Sequence, residues 1–194
     1  MTHRSDGDHS RVVNHALVPP AGTFDLDPAH TFVTFSAQHL VVGRVRGRFE
    51  AVQGVVTVGE DPSASAVEVS VETASITTLN ATRDDDLRSQ HYLDVARYPM
   101  MTYRSTVTSE LTAGAWLVTG DLTLHGVTRP VALTVRFGGA VSDSSGNVRV
   151  AFHARGSLTR HDFGLSYELV KEAGGLLVGK DVAIGIDAEA IRPL

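Results

Sequence analysis

Not one of the 194 residues is a cysteine. That single absence excludes disulfide frameworks, thiolate metal sites, thiol nucleophiles and cysteine lipidation. Aromatic residues are sparse, at 6%. Basic residues are outnumbered, 17 Lys and Arg against 22 Asp and Glu for a net charge of −5. No basic block is available to neutralise the phosphates of a nucleic acid, so general nucleic-acid binding is set aside. The first twenty residues, MTHRSDGDHSRVVNHALVPP, hold no apolar run of the kind an export signal or a membrane span needs. The expected compartment is therefore the cytoplasm. Catalytic signatures are missing too: no Gly-X-Ser-X-Gly elbow marks a nucleophile, and the glycine-rich places read as hairpin turns rather than phosphate cradles. No nucleophile, metal site or cofactor is nominated.

What the chain does have is enough apolar matter for a core, 42% against 20% charged residues, at the length of one ordinary domain. Residues 1–21 read as a flexible arm ended by Pro19 and Pro20, and residues 22–194 as the domain. His3, His9 and His15 recur every sixth residue in the arm. Gathering them on a metal would cost chain entropy with no carboxylate to orient them, so the arm reads as a solvated tail.

From Phe24 onward the dominant period is two. Strands are read at Thr31 to His39, Val45 to Val58 with a bend at Gly47 or Gly54, Val67 to Val71, and Met100 to Val107. Four more are read at Ala115 to Leu124, Val131 to Val141, Val148 to Leu158 and Asp181 to Ile191. Gly114, the Gly138-Gly139 pair, Asp143 to Gly146 and Gly174-Gly175 stand where hairpins are required, so neighbours run antiparallel. Between Ile76 and Pro99 the alternation stops. There Asn80 or Thr78 caps a short helix with Asp84, Asp85 and Asp86 in its first turns, and Pro99 restarts extended chain. Eight strands, each apolar on one face, are accommodated by closing the sheet so that no edge remains. The fold class is all-β: an eight-stranded antiparallel β-barrel with a short helical insertion lying across one end.

An eight-stranded barrel either fills its interior with its own side chains or holds one small ligand. Inward parity mixes the small residues Ala37, Ser105, Gly120, Ala154, Gly156 and Ala188 with bulky ones, which leaves room for something apolar. The candidate cavity lining is Val33, Phe35, Ala37 and His39 on the first strand, then Phe49, Met101, Tyr103 and Trp116. Leu122 and Leu124, Leu133 and Val135, and Phe152, Ala154 and Leu158 follow along the next three strands. Phe163, Val182, Ile184 and Ile186 complete it. A neutral imidazole at His39 can bond a ligand headgroup or satisfy a backbone carbonyl.

Four runs carry a resemblance: FDLDPAHTFVTFSAQHLVVGRVRGRFEAVQGVVTV, TRDDDLRSQHYLDVARYP, GDLTLHGVTRPVALTV and LTRHDFGLSY. In this order and spacing they resemble the YceI-like, polyisoprenoid-binding family, over roughly Gly22 to Pro193. The closing run VGKDVAIGIDAEAI resembles that family's last strand. The resemblance implies a lipocalin-like barrel whose apolar cavity takes up an isoprenoid chain, with no catalytic activity, and it suggests a homodimer. His39 matches the histidine of the family's first motif. Two departures stand out: many members carry an export signal, and Asp86 occupies a position where the family often has histidine.

The remaining chemical candidates have structural readings of their own. The run Arg83, Asp84, Asp85, Asp86 and Arg88 resembles a magnesium-diphosphate cluster, but nothing in a β-rich chain supplies the second cluster such chemistry uses. Helix-terminus electrostatics with a salt bridge to Arg83 or Arg88 accounts for it. Arg160 and Asp162 read as a buried pair fixing the barrel end, and His125 as exposed in a turn. The expected function is non-enzymatic carriage of an isoprenoid lipid of polyprenyl or quinone type, loaded through transient membrane contact. The alternatives are a ligand-free structural or stress-related dimer, a fatty-acid-type carrier, and an enzyme acting on such lipids inside the cavity.

Overall fold

The alternating segments are strands in the computed structural model, which describes residues 8–39, 43–112, 114–167, 170–171, 175–176 and 178–193. A small hairpin, β1 (Arg11–Val13) and β2 (Ala16–Val18), comes first. Then follow β3 (Gly22–Leu26), β4 (Phe32–His39), β5 (Gly43–Phe49), β6 (Val52–Val58), β7 (Ala66–Glu72) and β8 (Ile76–Thr77). The helix α1 (Ala81–Arg88) separates these from β9 (Met100–Thr112), β10 (Ala115–Leu124), β11 (Val127–Ser142) and β12 (Val148–Thr159). The short strands β13 (Val170–Lys171) and β14 (Gly175–Leu176) pair with each other, and β15 (Val178–Arg192) is last.

The sheet runs β12, β11, β10, β9, β7, β6, β3, β15 and closes when β15 pairs with β12, antiparallel throughout. It is an eight-stranded closed barrel. Three of its eight staves are broken. β4 continues β3 along the same edge of β15, β5 continues β6 beside β4, and β8 continues β7 beside β5. The long strand expected over Val45 to Val58 is thus two strands, parted at Glu50 and Ala51 rather than at a glycine. Gly47 and Gly54 serve close approach instead. A Cβ at Gly47 would collide with the Phe35 ring, and one at Gly54 with the Glu68 carbonyl. The Gly138-Gly139 pair is likewise no turn: it lies inside β11, at a bulge against β12 where Gly139 has φ 141°. Gly174 lies outside the described residues.

The described part of the arm is not a solvated tail. Asn14 and His15, both at positive φ, form the two-residue turn of the β1–β2 hairpin, and Ala16 and Val18 are buried. Arg11 clamps the hairpin down. Its guanidinium donates to Pro19 O at 2.8 Å, to Glu60 O at 2.7 Å and to Gly59 O, and it pairs with the Glu60 carboxylate at 3.0 Å. Of the three arm histidines, His9 lies 2.7 Å from the Ser142 hydroxyl and His3 is outside the described residues.

The break between β3 and β4 is pinned by charge. Asp27 caps the 3-10 turn Pro28–His30 through Ala29 N, while Arg149 from β12 donates to Asp27 at 2.6 Å and to Glu189 of β15 at 2.7 Å. Asp27, His30 and Glu189 lie close enough together to resemble a metal site, but the cation among them is the Arg149 guanidinium. The Arg149 hydrogen bond, ahead of the opposing cost of burial, holds Asp27 down at about 2 from an ordinary 3.8. A depressed carboxylate stabilises the fold above its unfolded value and loses that contribution as pH falls through the folded one, here about 2 kcal/mol fading below about pH 4. Arg149→Met should therefore lower the urea midpoint at neutral pH and flatten its decline toward acid. Parallel acid limbs for the two proteins would contradict this assignment.

A tunnel lined by the inward faces

Inside the barrel lies one elongated cavity of about 350 Å³ whose wall is almost entirely apolar. It runs from Val18, Pro19 and Pro62 at the hairpin end to Leu87, Tyr92, Leu93, Arg160 and Leu165 at the α1 end. Period-two alternation builds the wall. Successive inward residues such as Leu122 and Leu124, or Ile184 and Ile186, line it while their neighbours face solvent or the outer layer. All the nominated lining residues border this cavity except His39 and Phe163.

His39 ends β4 half-buried, opposite Gly43 and Val178. The pairing of β4 with β15 is irregular between Val178 and Val182, and parity counted from Val33 does not carry His39 into the wall. Phe163 is buried, but under the 3-10 turn Arg160–Phe163 that leaves β12, as part of the core outside the tunnel.

The small inward residues divide in the same way. Ala37, Ala154 and Ala188 face the tunnel, whereas the space over Gly156 is taken by Leu133 and that over Gly120 by the Tyr103 ring. The Ser105 hydroxyl accepts from Val67 N at 2.9 Å. Tyr103 reaches across Gly120 of β10, its hydroxyl donating toward Val118 O at 3.0 Å and Val131 O at 3.2 Å. Burial first, and the Asp121 carboxylate second, push this phenol up to about 12, so it stays a neutral donor.

Other hydroxyls of the wall also turn to the backbone. Thr34 donates to Gly185 O at 2.8 Å, Thr108 to Ser65 O at 3.0 Å and Thr31 to Glu189 O at 3.3 Å. Polarity facing the tunnel is concentrated at the α1 end. Arg160, buried, donates to the carbonyls of Gly179 at 3.1 Å, Tyr167 at 3.1 Å, Val178 at 3.3 Å and Leu165. Asp162 is exposed and is not among these acceptors, so the expected buried Arg160–Asp162 pair is replaced by a guanidinium that ties backbone together. Beside it stands Tyr92, whose hydroxyl has no hydrogen-bond partner among the described residues. Burial raises its pKa and the Arg160 charge draws it back. Residue-type reasoning passed over Tyr92; the signal was its place in the RSQHYLDVARYP run, one residue before the wall residue Leu93.

The helix closes this end through Leu87 and the turn after it. Asn80 caps α1 by accepting from Arg83 N at 3.0 Å. Asp84 is buried and accepts from the Thr77 hydroxyl and from the Thr78 N–H and hydroxyl. Burial works against its ionised form, but those hydrogen bonds outweigh it and the pKa falls. Asp85 and Asp86 point to solvent, Asp85 pairing with Arg88 at 3.4 Å. The acidic run is helix-end electrostatics, and none of its carboxylates lines the tunnel. His125 forms the β10–β11 turn with Gly126 and is half-buried rather than exposed, its ring 4.6 Å from that of Tyr98.

A YceI-like domain model matches residues 24–190. Protein YceI of Salmonella newport is 39% identical over 147 residues, 75% of this chain and 76% of that protein. A UPF0312 protein of Pectobacterium atrosepticum is 34% identical over 170 residues, 87% and 85%. Among solved structures, Burkholderia cenocepacia BcnA aligns with TM-score 0.72 at 18% identity, covering 85% of this chain and 99% of its own. A polyisoprenoid binding domain from Saccharophagus degradans, implicated in plant cell wall breakdown, aligns with TM-score 0.63 at 18% identity, covering 88% and 98%.

Two substitutions separate tunnel volume from wall integrity. Ala154→Trp fills the tunnel and should abolish uptake of a fluorescent prenyl probe, a loss of at least about tenfold, with the far-UV dichroism unchanged. Gly120→Ala places a Cβ 2.6 Å from Arg104 O and from the Tyr103 ring, and should lower stability by about 1–3 kcal/mol in thermal unfolding. A folded Ala154→Trp protein with undiminished uptake would show that the probe binds elsewhere.

Proposed function

The chain belongs to the YceI-like domain family, and on that premise we propose that it is a non-enzymatic carrier of one isoprenoid-type lipid, its tail enclosed in the tunnel. The observation that carries this reading is the chemistry of the wall. Among the described residues that line the tunnel, the ionisable side chains are Arg160, Tyr92 and Tyr103. Burial raises the pKa of both phenols, so they stay neutral donors, and among the described residues the wall offers no carboxylate or imidazole to act as a general base. Binding then rests on burial, at roughly 25 cal/mol per Å² of apolar surface removed from water. A tail is held without any specific hydrogen bond. The polyisoprenoid-binding name of the Saccharophagus neighbour supports the same ligand class. Loading through transient membrane contact and a homodimeric assembly are parts of the proposal.

Mass spectrometry of an organic extract of the purified protein tests it, with a lipid recovered near one per chain as the supporting result. A recovered fatty acid would move the reading to a fatty-acid-type carrier. A clean extract together with no uptake of a prenyl probe would leave the barrel a structural element. Because no described wall residue is a carboxylate or an imidazole, probe affinity should also stay flat from about pH 5 to about pH 9. A bell-shaped profile would reopen the enzymatic alternative.

A further inference from the structure

Closure of the sheet stops short at β5. This strand pairs with β4 along its whole length, from Gly43 opposite His39 to Phe49 opposite Val33, but on its other side it meets only β8, at Arg48 and Phe49. Past Thr77 the chain leaves that line: Leu79 takes a left-handed φ of 60°, and α1 packs against β8. Among the described residues, 43–46 therefore have no strand on that side, and every second one of them turns its N–H and C=O toward it. Such an edge is a template for another extended segment.

The side chains of the edge select the segment. Arg44, Arg46 and Arg48 alternate along β5, and all three are exposed. Arg48 is met by Glu50 at 2.7 Å. Among the described residues, Arg44 reaches the Ser36 hydroxyl at 3.4 Å and no carboxylate, and the Arg46 guanidinium has no hydrogen-bond or ion-pair partner. The residues opposite the three arginines on β4 are Gln38, Ser36 and Thr34, and opposite the last two of these on β15 stand Ala183 and Gly185. Beyond Gly185 comes another exposed arginine, Arg155 of β12. Positive charge thus flanks an uncharged strip in a chain whose net charge is −5. A second copy of β5 is a poor neighbour for this edge, because in an antiparallel pair its arginines would face these, and like charges directly opposite are destabilising.

We propose that the free edge of β5 is a docking site for an extended acidic segment of a partner protein. The segment adds as an antiparallel strand in the direction of β8, with Asp or Glu opposite Arg44 and Arg46 and an apolar residue between them opposite Val45. Neither these two arginines nor Val45 lines the tunnel, so docking here does not depend on what the tunnel carries.

The test titrates the full chain into a fluorescein-labelled peptide of about nine residues in which Glu and Val alternate, read by anisotropy, with hydrogen exchange of the protein followed in parallel. Binding should protect residues 43–46 from exchange and should weaken several-fold between about 50 and about 500 mM salt. Arg44→Glu together with Arg46→Glu should weaken it at least about tenfold, and Arg44→Lys together with Arg46→Lys should keep it within a few fold, because the pairing needs the charge. Both side chains are exposed, so circular dichroism should match the wild-type protein in either double variant. The same peptide with its backbone nitrogens methylated keeps its charges but has no N–H to donate, and should bind at least about tenfold more weakly. Undiminished binding to the double Glu variant, or equal binding of the methylated peptide, overturns the docking site. So does a wild-type protein that ignores the peptide, and its adhesion to phosphatidylglycerol vesicles in that case would assign the arginines to a lipid surface instead. Protection of residues 43–46 that rises with protein concentration alone would put a second copy on the edge and overturns the proposal as well.

Discussion

Closure of the sheet along the β12–β15 seam is the constraint on which the rest of this molecule depends. The ladder runs unbroken from Val148 opposite Arg192 to Thr159 opposite Asp181, and it removes the two edges that an open sheet would expose. Once the sheet is closed, every strand has one face inside and one outside, and the alternation along each strand becomes a distinction between tunnel and exterior. Shifting one long strand by a residue would turn its apolar set outward. The ladders β9–β10, β10–β11, β11–β12 and β12–β15 are the long ones, with bulges only in the first and third, and they form the continuous half of the wall.

The other half is built from the broken staves, and each break has a use. The interruption after β3 admits Asp27, which joins Arg149 and Glu189 across three strands. That after β7 releases the chain toward α1, whose buried Asp84 is held by Thr77 and Thr78 immediately after β8. A continuous eight-stave barrel would leave its ends open. Here the breaks free enough chain to cap one end with α1 and its following turn, while the N-terminal hairpin caps the other.

An apolar interior penalises any polar group left without a partner, and the wall shows how the penalty is avoided. Thr31, Thr34, Thr108 and Tyr103 all turn their hydroxyls onto strand or loop carbonyls. Arg160 spreads its donors over four backbone oxygens at the α1 end, joining the chain after β12 to the start of β15. The polarity gradient along the tunnel thus comes from where the ends are capped rather than from the strands themselves.

The sequence by itself determined the class of fold, the positions of the long strands and most of the wall, because a two-residue period read locally is the same signal that closure later uses to separate inside from outside. Ala115 to Leu124 is bounded in the structure as the alternation bounds it, and Asn80 caps α1 as residue type suggests. What only the tertiary structure decided lies where local pattern gives no distance. Whether Gly47 bends a strand or receives the Phe35 ring, and whether Gly120 leaves room or lies beneath Tyr103, depends on which strand comes to lie beside it. The same is true of His39 and Phe163, whose apparent inward places fall at an irregular strand end and in a turn, where parity no longer applies. The arm shows the limit most clearly. Its few apolar residues carry no strong period, and Val18 and Pro19 become the end of the tunnel only because the barrel, once closed, presents an apolar opening that they cover.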